Sequence, residues 1–343
     1  MKKILATKRF YLWPVAACLI GIGGLAYYYF FTGFSKCQQT SYLYVDADDT
    51  ADSVFAKLEP MAKPQGMTAL RTLLRHQGYD KSIRTGRYAV DPDDGVLTMF
   101  RRLKNRQQTP MMLTIPECRT MPRLAAILAK KLMSDSIAIA QALADSALTA
   151  QLGYDSQTLP AMFVPNTYEV YWTVEPGQLL ERLAREHDRF WNYERQQRAA
   201  ALGLTPNEVC TLASIIDEET ANNAEKPMVA RMYLNRLQKK MPLQADPTVK
   251  FALQRFELRR IYHDMLKVQS PYNTYANVGL PPGPIKIASI KGIEAVLSPA
   301  QHDYLYMCAK EDFSGTHNFA ATYQEHLKNA ARYAKALNER GVK

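Results

Sequence analysis

The sequence predicts an α+β protein: an N-terminal transmembrane helix, a small mixed domain and a larger α+β domain. Three observations carry the prediction. Residues 10–35 contain no charged side chain and lie between Arg9 and Lys36. Residues 42–105 alternate β-rich runs with helical periodicities. From Pro110 onward helical patterns dominate, separated by proline-containing turns. A length of 343 residues suits about two folded domains, and the expected boundaries are 42–105 and 106–343.

About 20 apolar residues suffice to span a bilayer as a helix, so 10–35 is long enough. Lys2, Lys3, Lys8 and Arg9 precede it. That places the tail 1–9 on the cytoplasmic side of a plasma (inner) membrane and the rest of the chain outside. Tyr27, Tyr28 and Tyr29 suit the far interface. A cleaved signal peptide would have an apolar core of about 7–15 residues ending at a small-residue site. This segment is longer and ends Phe-Phe-Thr-Gly-Phe-Ser, so an uncleaved single-pass anchor is expected.

Within 42–105, residues 42–45 and 86–90 read as strands, and 50–58, 67–76 and 96–103 as helices. The acids Asp46, Asp48, Asp49 and Asp52 do not form a calcium loop. An EF-hand needs glycine at its sixth and glutamate at its twelfth position, where this chain has Ala51 and Lys57. Helix capping and solvation are the expected roles. Beyond Pro110, residues 111–115 read as a strand, 122–133 as an amphipathic helix, 178–202 as one long charged surface helix and 323–337 as a closing helix. Pro247 and the run Pro281-Pro282-Gly283-Pro284 are expected in rigid loops.

Composition narrows the function. The chain is 47% hydrophobic, enough for real cores. Its net charge is +10, but four of those charges precede residue 10 and the other +6 are scattered. Nucleic-acid binding would call for clustered basic residues and a recognisable motif. Cys18, Cys37, Cys118, Cys210 and Cys308 have neither metal-ligand nor Cys-x-x-Cys spacing, so free, mostly buried thiols are expected. Gly-x-Gly-x-x-Gly, P-loop, Gly-x-Ser-x-Gly and His-Glu-x-x-His patterns are all missing from the sequence. No metal or organic cofactor is implied.

The chemistry concentrates between Leu212 and Thr248. Thr205, Pro206 and Glu208 form a helix start, a capping box with proline at the first helical position. Val209, Leu212, Ile215 and Ile216 then recur at helical spacing. Glu219 lies three, four and seven residues after Ile216, Ile215 and Leu212, so it continues the buried stripe, while Asp217 and Glu218 fall to either side. Burial and the helix C-terminus both disfavour a carboxylate there and raise its pKa, as a general acid near neutral pH requires. Pairing with a buried cation, or a helix end turning into solvent, would place a glutamate there as well. In the loops that follow, Gln244, Asp246, Tyr272, Asn273 and Tyr275 supply the hydrogen-bonding groups and aromatic faces that sugar recognition needs, or else serve turn chemistry.

Several blocks recur in a fixed order: Ala-Ser-Ile-Ile-Asp-Glu-Glu-Thr at 213–220, Leu-Asn-Arg-Leu at 234–237, Leu-Gln-Ala-Asp-Pro-Thr-Val at 243–249, Pro-Tyr-Asn-Thr-Tyr at 271–275, Gly-Leu-Pro-Pro-Gly-Pro at 279–284 and Asp-Tyr-Leu-Tyr at 303–306. In order and spacing this set resembles the YceG-like family of endolytic murein transglycosylases, from about Leu113 to the end. The family's catalytic glutamate is the last acid of the first block, which falls on Glu219. Its first acid falls on Asp217, a shorter side chain. Asn235 and Thr248 stand in these blocks and join Asp217 and the loop residues as substrate-binding candidates, as does His317, which matches a family histidine. Asn166 stands where the family has aspartate, and Cys118 where it has glycine. Thr-Gly-Arg-Tyr at 85–88 and the strand-helix-helix-strand order of 42–105 resemble the family's LysM-like region, a fold that docks glycan chains; the other reading is a spacer.

The resemblance implies lytic cleavage of the β-1,4 bond between N-acetylmuramic acid and N-acetylglucosamine within peptidoglycan strands, leaving 1,6-anhydro ends and terminating or trimming nascent strands. The implied partners are glycan strands, the membrane, and peptidoglycan synthases or division proteins. Two other readings stay open: a hydrolase using Glu219 with Asp217 or Asp246 as base, and a non-catalytic glycan-binding or division scaffold.

Overall fold

The computed structural model describes residues 2–258 and 260–340; in the first helix the side chains described are those of residues 13–29 and 31. The chain forms two compact units, one of residues 1–112 with 169–174, the other of 113–168 with 175–343. The chain passes from the first to the second along strand β3 (Met111–Thr114) and returns through β4 (Thr167–Val170). The division between the units lies at 112/113, beside an expected boundary at 105/106, and one short segment, 169–174, returns to the first unit.

The first unit opens with helix α1 (Lys2–Phe31), which takes up the expected tail from Lys2 onward. Among the described residues no single helix is both long and apolar enough to cross a membrane, and the apolar part of α1 is Trp13–Tyr29. Trp13, Leu19, Ile20, Leu25 and Phe31 are all exposed. The uncharged run does not continue as helix to residue 35. Phe34 is completely buried beside Leu43, Phe55, Leu70, Tyr88 and Met99, a gain of about 1.5–3 kcal/mol for one such side chain. Lys63 N–H donates to Phe34 O at 2.7 Å. Gly66 makes this close passage possible, since a Cβ there would lie 2.8 Å from Gly33 O.

After α1 come β1 (Ser41–Val45), α2 (Ala51–Leu58), α3 (Pro64–His76), β2 (Gly86–Val90) and α4 (Val96–Lys104). The strands pair antiparallel with Leu43 opposite Tyr88, and β1 buries Leu43 and Val45 in alternation. Thr50 and Ser53 close a capping box at the start of α2, which buries Val54, Phe55 and Leu58. The local acids cap and pair: Lys57 Nζ lies 2.5 Å from Asp49 and 3.2 Å from Asp46.

β3 and β4 pair with each other, and the second unit continues with α5 (Met121–Ala129), α6 (Ser136–Ala144) and α7 (Ser146–Gln151). Then follow α8 (Pro176–Phe190), α9 (Tyr193–Ala201), α10 (Pro206–Glu219), α11 (Lys226–Gln238), α12 (Asp246–Leu253), α13 (Ile290–Leu297), β5 (Tyr306–Ala309), β6 (His317–Ala320) and α14 (Tyr323–Glu339). The single helix expected over 178–202 is two. Trp191 turns into the core at 2% exposure, and Asn192 caps the next helix by accepting from Arg195 N–H at 3.0 Å. Pro247 is not in a loop but in the first turn of α12, where its missing N–H is no loss.

The core of this unit is built on α10. Every residue from Val209 to Ile216 is buried, so the expected stripe is a helix enclosed on all sides. It packs among Val229 and Tyr233 of α11, Ile293 and Val296 of α13, and Trp191. Ser214, at the centre, donates to Thr211 O at 2.7 Å and accepts from Ile285 N–H at 3.0 Å, so its buried hydroxyl is satisfied.

Candidate active site

Helix α10 ends on Glu219. Thr220 follows in an extended conformation and still donates its N–H to Ile216 O, so the last turn stays closed and Glu219 projects from a rigid end. Its Oε1 accepts from the Tyr233 hydroxyl at 2.8 Å. Burial pushes the Glu219 pKa up from 4.5 to about 7; the Tyr233 hydrogen bond and Lys250 pull it down, and the charges of Asp246 and Glu218 push it up. Burial, together with the adjacent Glu219, drives the Tyr233 phenol well above its usual range.

A cavity of about 250 Å³ opens at this carboxyl and is lined by Tyr233, Arg236, Gln244, Asp246, Tyr275 and His317, among others. A second, of about 320 Å³, is lined by Lys310, Phe313, Gly315, Thr316 and Tyr333. Both are also lined by Glu219, Ala309 and His317. The carboxyl and the imidazole thus line both cavities.

The walls are tied down. The Tyr275 hydroxyl donates to Asp246 Oδ1 at 2.6 Å. Arg236 Nε donates to Leu305 O at 2.6 Å, and its Nη1 to Leu243 O at 2.9 Å and Gln244 Oε1 at 3.3 Å. Gln244 and Phe313, one in each cavity, have positive φ of 51° and 59°, a conformation that few non-glycine residues adopt. Cys308 also lines the first cavity; among the described residues all five cysteines are free, with Cys118 and Cys210 buried and Cys18 exposed.

The cleft gathers Glu219, Gln244, Asp246, Tyr275 and His317 of the expected site. The remaining candidates lie elsewhere, each for a physical reason. Asp217 is sealed beside α13: its Oδ1 is 2.7 Å from Lys226 Nζ, and Ser289 N–H donates to its Oδ2 at 2.6 Å. With 1% side-chain exposure it is a structural anion. Asn235 Nδ2 donates to His302 O and Tyr304 O, and Asn273 Nδ2 to Leu266 O and Val268 O. Both tie down backbone carbonyls of neighbouring loops. Thr248, fully buried, donates to Ala245 O at 2.7 Å. Tyr272 packs its ring on Phe251 at 4.7 Å. Glu218 faces another way, held by Arg119 and Lys286.

Sequence reasoning missed Tyr233, Arg236 and Glu225. The first two stand one helical turn apart in α11, the spacing that puts both on one face, and Arg236 lies inside the Leu-Asn-Arg-Leu block. Glu225 is 8% exposed and bonds His317. Among the described residues no cluster of His, Cys, Asp and Glu could hold a metal ion.

Comparison with known proteins adds to this geometry. The profile of the YceG-like family matches residues 43–332. An endolytic murein transglycosylase of Bacillus subtilis (strain 168) is 44% identical over 137 residues, 40% of this chain and 37% of that protein. One from Streptococcus pneumoniae serotype 2 is 28% identical over 182 residues, 52% of this chain and 33% of that protein. The chain therefore matches only about a third of the length of these curated relatives. A crystal structure of a yceG-like protein from Listeria monocytogenes superposes with a TM-score of 0.56 at 24% identity, covering 85% of this chain and 99% of that one.

Proposed function

The chain belongs to the YceG-like family, and we propose that it is an endolytic lytic transglycosylase, cleaving the β-1,4 bond between N-acetylmuramic acid and N-acetylglucosamine inside peptidoglycan strands. The observation that carries this reading is a single carboxyl with its pKa pushed up to about 7 at the junction of two cavities. A group at that value is protonated often enough to act as an acid and ionised often enough to act as a base. A cleft continuing past it on both sides suits a strand bound across its middle.

In this reading protonated Glu219 gives its proton to the glycosidic oxygen as the bond from C1 breaks. The carboxylate then takes the proton of the C6 hydroxyl of the same muramic acid as that oxygen bonds C1. A 1,6-anhydro ring closes, and Glu219 regains its proton. Burial keeps water from screening the charge that develops, and Tyr233 stabilises the carboxylate between the two steps. No second carboxylate is needed.

A hydrolase would require one, and Asp246 lines the same cavity. It is the base that reading must use, because Asp217 is sealed in its ion pair. The apolar part of α1, Trp13–Tyr29, is shorter than a full span by length and composition but compatible with a single-pass anchor whose N-terminus is cytoplasmic, and the first unit's strand-helix-helix-strand order suits a LysM-like glycan-docking module. Deletion of 42–105 should then weaken sedimentation with insoluble peptidoglycan; unchanged sedimentation leaves the spacer.

The test is digestion of long, uncrosslinked glycan strands by the detergent-solubilised protein. Endolytic cleavage shortens the strands from within before small fragments accumulate. Release of disaccharides from the ends, with the remaining strands still long, would contradict it.

A further inference from the structure

Resting on that reading of the cleft, we propose that His317 is a second substrate-contacting residue, accepting a hydrogen bond from a sugar hydroxyl through Nε2, and that Glu225 is the positioning residue that makes it an acceptor. Three donors converge on Glu225. The His317 backbone N–H reaches Oε1 at 2.7 Å, and Oε2 lies 2.9 Å from Thr220 Oγ1 and 3.0 Å from His317 Nδ1. A carboxylate offers only lone pairs, so the proton between Oε2 and Nδ1 belongs to Nδ1. In the neutral ring Nε2 is then an uncovered lone pair, because the partner of one ring nitrogen decides the state of the other.

Nε2 makes no hydrogen bond among the described residues, and the ring lines both cavities beside Glu219. Two other acceptor atoms in this wall are already engaged, Asp246 Oδ1 by Tyr275 and Gln244 Oε1 by Arg236. A glycan strand is rich in hydroxyl donors, and an acceptor of fixed direction at the junction would set the sugar's rotation relative to Glu219. Thr220 and Glu219 are adjacent in the chain, so the network that orients the ring begins beside the acid itself.

The same bonds also clamp β6 to the turn after α10, and a clamp alone would explain their presence. Two substitutions separate the roles. His317→Asn keeps an N–H where Nδ1 was, and so the bond to Glu225, but has nothing at Nε2. Glu225→Gln keeps an acceptor for the backbone N–H but offers an amide donor to Nδ1. That drives the ring to the Nε2–H form and turns the cleft face from acceptor to donor.

The experiment measures thermal melting and kcat/KM on glycan strands for the full chain, and glycan affinity in the Glu219→Gln background, where turnover does not interfere. His317→Asn should melt like the wild type and lose roughly ten- to hundredfold in kcat/KM, the scale of one hydrogen bond to a group left unpaired. Glycan affinity should weaken with it. Glu225→Gln should lose a similar factor, and His317→Gln, which reaches the Nε2 position, should recover part of the loss per folded molecule. Wild-type kcat/KM and affinity in His317→Asn would overturn the proposal. So would losses that only follow the folded fraction in the Asn and Gln variants alike. Because affinity is read without turnover, the proposal can fail while Glu219 stands, or stand while the cleavage assignment fails.

Discussion

Two carboxylates two residues apart on α10 meet opposite fates. Asp217 is nearly as enclosed as a side chain can be, yet it sits 2.7 Å from the Lys226 ammonium and accepts from the Ser289 backbone N–H and hydroxyl. Gly292 leaves the room it needs, since a Cβ there would come within 2.6 Å of Oδ1. Glu219 has one phenol as hydrogen-bond partner and a cavity in front of it. Burial alone does not make a working acid. A buried carboxyl locked in an ion pair with a full set of donors holds the fold together; one without an ion-pair partner is pushed towards the neutral form and becomes useful.

The largest effect should come from removing that useful proton. Glu219→Gln keeps size and most hydrogen bonding, and strand cleavage should fall by at least about 10²–10⁴-fold with the melting temperature retained. An active variant would erase the contrast. Asp217→Asn should do the reverse. It leaves Lys226 buried opposite a neutral group, and denaturant titration should show a loss of about 3–5 kcal/mol, while activity per folded molecule stays near wild type. A stable but inactive Asp217→Asn would place that residue in the chemistry.

The pH dependence sharpens the comparison. Glu219 must be protonated for the first step, so cleavage should fall as pH rises above about 7. Its folded pKa is raised, so the stability it contributes is fully present below its ordinary 4.5 and is lost as pH rises through about 7. Equilibrium unfolding should show wild type losing stability relative to Glu219→Gln across that window. A flat difference would mean the carboxyl is not buried in solution. The smallest effect belongs to Glu218→Gln. Its bridge to Arg119, a residue with a 48% exposed side chain, is worth no more than about 1 kcal/mol, and both stability and cleavage should change little.

Much of this was legible along the chain. The capping box at Thr205 and the helical spacing up to Glu219 are local signals, and the structure contains that box and the helix that ends on Glu219. What was not legible depends on contacts distant in sequence. Glu225 and His317 are 92 residues apart, and Tyr233 meets Glu219 only because α11 packs back on α10. Asn235, Thr248 and Asn273, polar residues in the motif blocks, hydrogen-bond backbone carbonyls, a demand that no spacing pattern reveals. The break at Trp191 had a readable signal, an asparagine able to cap the next helix, masked by the charged residues on either side.

The central claim is that the substrate's own hydroxyl completes the reaction at Glu219, so one carboxyl is enough. Digestion in heavy-oxygen water, with mass analysis of the newly formed muramic acid ends, tests it most directly. The account predicts 1,6-anhydro ends that carry no heavy oxygen. Reducing ends carrying heavy oxygen would show that water is the nucleophile and that a second group, with Asp246 the first candidate, acts beside Glu219.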